Sequence, residues 1–289
     1  MKVGIVGLGN MGAGMASTLA KKKRDVYGFD SSKSAREAIS HKGVKPVSTL
    51  KELTSICDII VLSLPKAEHV EAVCLGENGI GKLASPGLIV IDTTTSEADV
   101  SRKVASSLRT SGIKFIDAPV SGGPLGAASG TMSMVIGGEK DVVESVLSLL
   151  QDMSVTQVHI GDVGAGNIAK IANNLLCAAH LITNAEVVSL AVKAGVDPEK
   201  VLEGINAGSG RSGVSQVNFP KWILNNGYDS GFSMGLMRKD VGLAKKLADD
   251  LNLSLPLSRQ IIQMWQQSQD ITDQEDFNAI VKASDPTLF

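Results

Sequence analysis

Short apolar runs rich in β-branched residues alternate with helix-like stretches from the first residues of the chain to about residue 160. This alternation is typical of a doubly wound, mainly parallel α/β sheet, because each strand is followed by a helix that packs on it. The apolar runs predict seven strands, over residues 2–6, 25–29, 59–63, 88–92, 114–117, 131–136 and 155–160.

After Gly166 the apolar positions follow helical spacing, and residues 167–194 contain no proline. The pattern predicts one helix over 167–194, on the order of 40 Å long at about 1.5 Å per residue. Gly195, Asp197 and Pro198 mark its end and the start of the next helix. We therefore expect two domains, residues 1–163 with the sheet and residues 164–289 all-helical, joined by this long helix.

Charge and cysteine content narrow the class of protein. The 28 Lys and Arg nearly balance the 30 Asp and Glu, so we expect neither nucleic acid nor an anionic membrane as a partner. The three cysteines lack metal-ligand spacing, which disfavours a zinc site and fits a reducing cytoplasm. The chain opens on a strand-like run, and no uninterrupted apolar run reaches about 18 residues, so we expect no targeting or membrane-spanning segment.

A glycine-rich turn follows the first predicted strand directly. Its sequence is Gly7-Leu8-Gly9-Asn10-Met11-Gly12, and a helix-like stretch comes next. In this context the first glycine permits a tight turn, the second lets a pyrophosphate approach the backbone, and the third permits close helix packing. The segment predicts a Rossmann dinucleotide site at a helix N-terminus, with Asn10 and Met11 beside the phosphates.

Asp30 ends the second predicted strand, where an acidic side chain can accept hydrogen bonds from the adenosine ribose. Its charge would repel a 2′-phosphate, so NAD is favoured over NADP. Lys33 and Arg36 follow closely and would partly offset this repulsion.

Ser121-Gly122-Gly123 follows the strand that ends at Asp117. A serine beside paired glycines exposes several backbone N–H groups and a hydroxyl at the sheet edge where open α/β sheets bind ligands. A glycine-rich turn to the next strand would have the same sequence, so the residues alone leave both interpretations open.

Lys170 and Asn174 lie four residues apart at the start of the long helix, just after Gly164 and Gly166, and therefore on one helical face. A solvated surface lysine is the ordinary alternative. The apolar neighbours of Lys170 favour a buried functional pair instead.

Together, Gly7–Gly12, the run from Asp117 to Gly123, Gly164-x-Gly166 with Lys170 and Asn174, and Lys239-Asp240 resemble the β-hydroxyacid dehydrogenase family, in its 3-hydroxyisobutyrate dehydrogenase-like branch. The motifs occur in the family's order over essentially the whole chain. The resemblance implies a Rossmann domain, an all-helical domain and an active site in the cleft between them.

The resemblance also implies roles for individual residues. Lys170 matches the catalytic lysine, and Ser121, Gly122, Gly123 and Asn174 match the substrate-holding positions. Further cofactor contacts are implied for Leu64, Pro65, His69, Thr95 and Lys239. His69 stands where relatives often have Asn, and Thr93-Thr94-Thr95-Ser96 departs from the usual Ser-Thr-Ile, so the hydroxyl that contacts the cofactor stays open.

The implied reaction needs no metal. In oxidation Lys170 accepts the proton of the β-hydroxyl while hydride leaves the same carbon for the nicotinamide, and in reduction it returns that proton. A free lysine with a pKa near about 10.4 is a poor base at neutral pH, so the site must favour the neutral amine. Asn174 would orient the reacting oxygen, and the Ser121 segment would fix the carboxylate.

Several alternatives remain at this point. Within the family, the substrate could be that of a tartronate semialdehyde reductase, a succinic semialdehyde reductase or a threonate dehydrogenase. Imine reductases share the architecture but usually carry another residue at the position of Lys170. A noncatalytic dinucleotide-binding module is the alternative from a different class. We also expect a homodimer or homotetramer, because the long apolar helix would bury more than one partner. Arg211, in a glycine-rich loop, has no assigned role.

Overall fold

The computed structural model describes all 289 residues, which fold as two compact units, Met1–Lys170 and Ile171–Phe289. The first unit contains the sheet, and the second is helical. The prediction divided the chain between residues 163 and 164, just before the long helix begins. The boundary between the two units falls after Lys170, in the second turn of that helix.

One nine-stranded sheet forms the first unit, with the strand order β3-β2-β1-β4-β5-β6-β8-β7 and β9 paired to β8. Strands β1 to β6 pair in parallel. This arrangement confirms the predicted doubly wound, mainly parallel sheet. The strands are β1 Lys2–Val6, β2 Asp25–Phe29, β3 Lys45–Pro46, β4 Ile59–Leu62, β5 Ile89–Asp92, β6 Lys114–Asp117, β7 Val120–Ser121, β8 Met132–Gly137 and β9 Ser154–Gly161.

The sheet reverses direction after β6. Strand β8 runs antiparallel to β6 and β7, with Asp117 opposite Gly137, and β9 runs parallel to β8. An antiparallel partner needs no long crossover, so the chain turns back after β6 through β7 and one short helix. The seven predicted strands all occur with ends within one residue of the prediction. Strands β3 and β7 were missed because two residues carry no hydrophobic pattern.

Helices cover both faces of the sheet. On one face Ile5 packs in the same buried cluster as Met15, and on the other Val6 shares a cluster with Leu62 and Val104. Neighbouring residues of β1 therefore serve two cores, which explains its nearly continuous apolar sequence. The helices of this unit are α1 Asn10–Lys21, α2 Lys33–Ser40, α3 Leu50–Ile56, α4 Ala67–Leu75, α5 Ile80–Leu83, α6 Ala98–Arg109, α7 Gly123–Ser129 and α8 Lys140–Met153.

The second unit packs helices around a core that includes Leu181, Phe219, Met237 and Trp265. Its helices are the major part of α9 Ala165–Lys193, α10 Pro198–Ala207, a π-helix Val214–Ile223, α11 Met234–Asp250, α12 Pro256–Gln267 and a 3-10 helix Phe277–Ala283. No strand follows α9 apart from a single bridge between Ser233 and Asp276. The all-helical prediction for this part of the chain is confirmed.

The long predicted helix is confirmed as α9, which has 29 residues. The prediction of its end is confirmed too. Gly195 has a φ of 87°, and the Asp197 side chain accepts hydrogen bonds from the backbone N–H of Glu199 and Lys200 at the start of α10. Helix α9 is also long and apolar enough to cross a membrane by length and composition alone, a test that core helices of soluble proteins also pass. The expectation of no membrane-spanning segment stays a prediction.

Candidate active site

The turn between β1 and α1 has the geometry of a dinucleotide site. Gly7 has a φ of 89°, and a Cβ there would lie 2.2 Å from the carbonyl oxygen of Ser63. A Cβ at Gly12 would lie 1.8 Å from the carbonyl oxygen of Gly7. At Gly9, the N-cap of α1, a Cβ would meet open space, and no side chain caps the helix. The uncapped N–H groups and the open space at Gly9 fit a pyrophosphate.

Asp30 holds this turn from the end of β2. Its Oδ2 accepts a hydrogen bond from the backbone N–H of Leu8 over 2.7 Å, and its Oδ1 accepts one from Ser32 over 2.8 Å. The guanidinium of Arg36 donates to the carbonyl oxygen of Asp30 over 2.6 Å, so a cation lies against the backbone at the end of β2. Asp30 therefore supports the glycine turn, in addition to its predicted contact with the ribose.

The loops after β4 and β5 are tied together by threonines. The hydroxyl of Thr93 donates to the carbonyl oxygen of Leu62 over 2.6 Å, and the hydroxyl of Thr94 accepts a hydrogen bond from the backbone N–H of Leu64 over 3.1 Å. Both side chains are buried, whereas Thr95 is half-buried. Thr95 therefore suits the predicted cofactor contact better than Thr93 or Thr94 does. Pro65 is exposed in the loop after β4, and His69 is exposed in the first turn of α4.

Ser121 lies in β7, directly before two glycines with positive φ. Gly122 has a φ of 128° and Gly123 a φ of 61°, and α7 begins at Gly123. The Lys170 ammonium donates a hydrogen bond to the Ser121 hydroxyl over 2.8 Å. The structure thus brings together the predicted proton-transfer residue and the predicted carboxylate site, although 49 positions separate them in the sequence.

Lys170 is only 8% exposed, so it is not the solvated surface lysine of the ordinary alternative. One turn further along α9, Asn174 is 5% exposed and donates from Nδ2 to Oδ2 of Asp240 over 2.5 Å. Asn173 donates to Oδ1 of Asn174 over 3.1 Å. The Lys239 ammonium lies 3.2 Å from Oδ1 of Asp240, and its side chain is 25% exposed. Asn174 and Lys239 are therefore joined through one buried carboxylate.

Two acidic residues of the site lacked an assigned role at the level of sequence. Asp240 was part of the recognised motif, but its contact with Asn174 spans 66 positions. Asp117 is completely buried and contacts the start of α9. Their positions inside the motifs were the only signals in the sequence.

The structure contains no group of three or more His, Cys, Asp or Glu side chains that could hold a metal ion. Arg211, which had no assigned role, is exposed.

Two family models cover nearly the whole chain. Residues 2–161 match the NAD binding domain of 6-phosphogluconate dehydrogenase, and residues 164–284 match the NAD-binding domain of NADP-dependent 3-hydroxyisobutyrate dehydrogenase. The 2-(hydroxymethyl)glutarate dehydrogenase of Eubacterium barkeri is 34% identical over 98% of this chain and 94% of its own length. The chain belongs to the β-hydroxyacid dehydrogenase family.

Other members of this family are similar over most of their length. The 2-hydroxy-3-oxopropionate reductase of Escherichia coli strain K12 is 33% identical over 89% of this chain and 87% of its own length. The structure of Mycobacterium tuberculosis 3-hydroxyisobutyrate dehydrogenase with L-serine superposes with a TM-score of 0.89, at 29% identity and 98% coverage of both chains. The predictions of the family, the fold and an NAD-binding oxidoreductase that acts on CH–OH groups are confirmed.

Proposed function

We propose that the chain oxidises the β-hydroxyl of a small 3-hydroxyisobutyrate-like acid with NAD, and that Lys170 is the acid/base. The observation that carries this proposal is the hydrogen bond between the buried Lys170 ammonium and the Ser121 hydroxyl, beside paired glycines of positive φ. A proton-transfer group and a group that can hold a carboxylate lie within one hydrogen bond of each other. A noncatalytic dinucleotide module would leave this arrangement without a purpose.

In the proposed reaction each of these site residues has a separate role. Because the Ser121 hydroxyl accepts the N–H of Lys170, its own hydrogen is available to a substrate oxygen. Gly122 and Gly123 offer backbone N–H groups to the carboxylate. In its neutral amine form Lys170 takes the proton of the substrate hydroxyl, and Asn174 holds the reacting oxygen. Bound NAD would supply the hydride acceptor for the same carbon.

The substrates and ligands named for the relatives narrow the substrate class. The acids 3-hydroxyisobutyrate, 2-(hydroxymethyl)glutarate, L-serine and glycerate, the reduced form of 2-hydroxy-3-oxopropionate, all have a CH₂OH group on the carbon that carries the carboxylate. They differ only in the remaining substituent of that carbon. We propose that this chain acts on the same HOCH₂–CHX–COO⁻ unit, where X is the remaining substituent of that carbon.

The test is a screen of these four acids with NAD and with NADP, read by absorbance of the reduced cofactor. We expect turnover with at least one acid, faster with NAD. 4-Hydroxybutyrate and threonate test the succinic semialdehyde reductase and threonate dehydrogenase alternatives. Turnover confined to either of them would overturn the proposed class, as would inactivity with all six acids in a folded protein that binds NADH.

A tartronate semialdehyde reductase is the second candidate, because the similarity to 2-hydroxy-3-oxopropionate reductase covers 89% of the chain. It would use the same residues in the reverse direction, with Lys170 returning the proton. Glycerate as the best substrate of the screen, together with faster reduction of 2-hydroxy-3-oxopropionate by NADH, would favour this candidate.

We further propose a homodimer or homotetramer in the cytoplasm. Helix α9 exposes Leu176, Val187 and Leu190, which are 60%, 47% and 71% exposed and fall on one face at helical spacing. We propose that a second copy of this chain covers this face of α9, because the family resemblance implies dimers or tetramers. Light scattering at micromolar concentration tests the assembly, and a monomer would contradict it.

The cytoplasmic location accords with three cysteines that form no disulfide, and cell fractionation tests it.

A further inference from the structure

Asp117 connects the sheet to the first turn of α9. It is the last residue of β6 and is completely buried. Its Oδ1 accepts the backbone N–H of Gly164 over 2.6 Å, and its Oδ2 accepts the backbone N–H of Asn167 over 2.8 Å. These two N–H groups belong to the helix start, where N–H groups have no partner within the helix.

The charge of Asp117 suits this position. A carboxylate at a helix N-terminus interacts favourably with the helix dipole. Burial raises the pKa of Asp117, while the N–H groups of Gly164 and Asn167 and the charge of Arg102 oppose that rise. Because both carboxylate oxygens accept N–H groups, the geometry is that of the ionised form.

The start of α9 has a second connection to the first unit. The side chain of Asn167 accepts the backbone N–H of Ser96 over 2.9 Å and donates to the hydroxyl of Ser101 over 3.1 Å. Asn167 therefore fixes the same helical turn to the loop after β5 and to α6. The first turn of α9 is thus held against two neighbouring strand ends.

The backbone of this turn lies directly on the sheet. A Cβ at Gly166 would lie 2.7 Å from the carbonyl oxygen of Val135 and 2.9 Å from Oδ2 of Asp117. There is no room for a side chain, so the helix could not begin with another residue here without moving away from β6 and β8. This close packing explains Gly166 of the motif, and a φ of 92° explains Gly164.

The segment after β6 and the start of α9 are therefore connected by contacts at two places. Ser121 follows Asp117 by four residues, and Lys170 follows Asn167 by three residues, or about 4.5 Å of helix rise. The Asp117 contacts connect the two segments at the first place, and the hydrogen bond between Lys170 and Ser121 connects them at the second. A shift of the helix start would be transmitted to the Lys170 ammonium.

We propose that Asp117 is a positioning residue for the reaction: its carboxylate fixes the first turn of α9 so that Lys170 reaches Ser121. The inference rests on the proposed role of Lys170. Asp117 itself touches neither substrate nor cofactor in this role, and it acts through the placement of the lysine.

A double-mutant cycle on the full-length protein tests the proposal. Asp117→Asn retains one acceptor and turns an NH₂ group toward the other backbone N–H, so kcat should fall by about 10- to 100-fold, because misplacement of about 1 Å has effects of this size. The dissociation constant of NADH should stay within about twofold. In a Lys170→Ala background, Asp117→Asn should change kcat by less than about twofold, because the lysine that it positions is absent.

Each outcome of the cycle is decisive. If Asp117→Asn alone leaves kcat within about twofold of the parent, or if it lowers kcat equally in the Lys170→Ala background, the positioning role is overturned. Lys170→Ala alone tests the proposed function, so failure of that function is seen separately. Leu150→Ala removes a fully buried side chain of the same unit, and it reports whether lost stability by itself lowers kcat.

A second pair of variants covers the case in which Asp117→Asn does not fold. Gly166→Ala leaves the side chains of Asp117, Ser121 and Lys170 unmutated but displaces the helix start and with it Lys170, so it should also lower kcat by about tenfold or more. Gly161→Ala is the matched control, because its Cβ would meet only the Cβ of Ala165 at an ordinary 3.5 Å. A folded Gly166→Ala variant with the kcat of Gly161→Ala would overturn the proposal.

Discussion

Asn174 donates a side-chain N–H to the Asp240 carboxylate over 2.5 Å, and both groups are buried. An ionised carboxylate only accepts hydrogen bonds, so it determines which way the amide of Asn174 faces. Asn173 donates to Oδ1 of Asn174, and the second N–H of Nδ2 is the donor left for a ligand. Asn174 would therefore meet the substrate oxygen as a hydrogen-bond donor.

The first prediction concerns this pair. Asn174→Ala should lower kcat by about tenfold, less than loss of the base does, because orientation is lost while the lysine remains. Asp240→Ala should have a similar effect, and the double variant should be little worse than either. Asp240→Asn should be milder, since it keeps an acceptor for Asn174. Steady-state kinetics on the best substrate measures all four variants. Additive losses would show that the two residues act separately.

The second prediction concerns the proton-transfer residue. Lys170→Ala should lower kcat by about 10² to 10⁴, the usual contribution of general acid–base catalysis. The dissociation constant of NADH, measured by fluorescence titration, should hardly change, because the predicted cofactor site at the glycine turn and Asp30 does not include this lysine. Lys170→Arg is the matched control. It keeps a cation that can contact Ser121 but cannot act as a neutral base, so it should lower kcat by a similar factor. Should Lys170→Ala keep turnover within a few-fold, His69 and Lys239 become the next candidates for the proton.

The third prediction concerns the cofactor. NAD should be used more efficiently than NADP, because the charge of Asp30 repels a 2′-phosphate. Asp30→Asn should narrow this preference, since it removes the charge while keeping an acceptor for the N–H of Leu8. The neighbouring Arg36 would then favour the phosphate. The ratio of kcat/KM for the two cofactors is the measurement, and an unchanged ratio would show that Asp30 acts only in the turn.

The fourth prediction concerns the thiols. Burial raises the pKa of Cys57 to about 12 and also raises the pKa of Cys74. The thiolate is the reactive form, so neither residue should react with a disulfide reagent at pH 8 until the protein unfolds. Cys177 is half-buried, and Cys177→Ser removes its contribution. Rapid labelling of folded Cys177→Ser would refute the prediction.

The fifth prediction concerns acid stability. Hydrogen bonds from Thr287 and Lys193 lower the pKa of Asp285 from 3.8 to about 2. A lowered acidic pKa stabilises the fold above the unfolded-state value, and this stabilisation is lost as the pH falls from about 4 to about 2. Asp285→Asn should lower the free energy of unfolding at pH 6 and flatten its decrease over that window. Denaturant titrations between pH 2 and 6 measure both effects, and parallel curves for the two proteins would contradict them.

The sequence predicted those parts of the molecule whose causes are local. The seven longer strands, the glycine turn and the ends of α9 follow from hydrophobic period, helix caps and backbone freedom, which neighbouring residues determine. The two-residue strands β3 and β7 have no such period and became visible only through their pairing.

Contacts between distant residues were not predictable from a single chain. Asp117 meets partners 47 and 50 positions away, and Asp240 meets one 66 positions away. Lys170 was predicted through the family resemblance, but its distance to Ser121 required the folded chain. The second role of Asp30, support of the turn at Leu8, was hidden for the same reason.

The sheet reversal after β6 has a consequence for how this sequence can change. Asp117 lies opposite Gly137 in β8, and a Cβ at Gly137 would lie 2.5 Å from Oδ1 of Asp117, much as one at Gly166 would meet Oδ2. Together with nearby backbone atoms, the carboxylate therefore excludes side chains at two positions that are 29 residues apart. At Gly137 the carboxylate is the nearest neighbour, so alanine at Gly137 should be more harmful with Asp117 present than in a variant whose residue 117 is shorter.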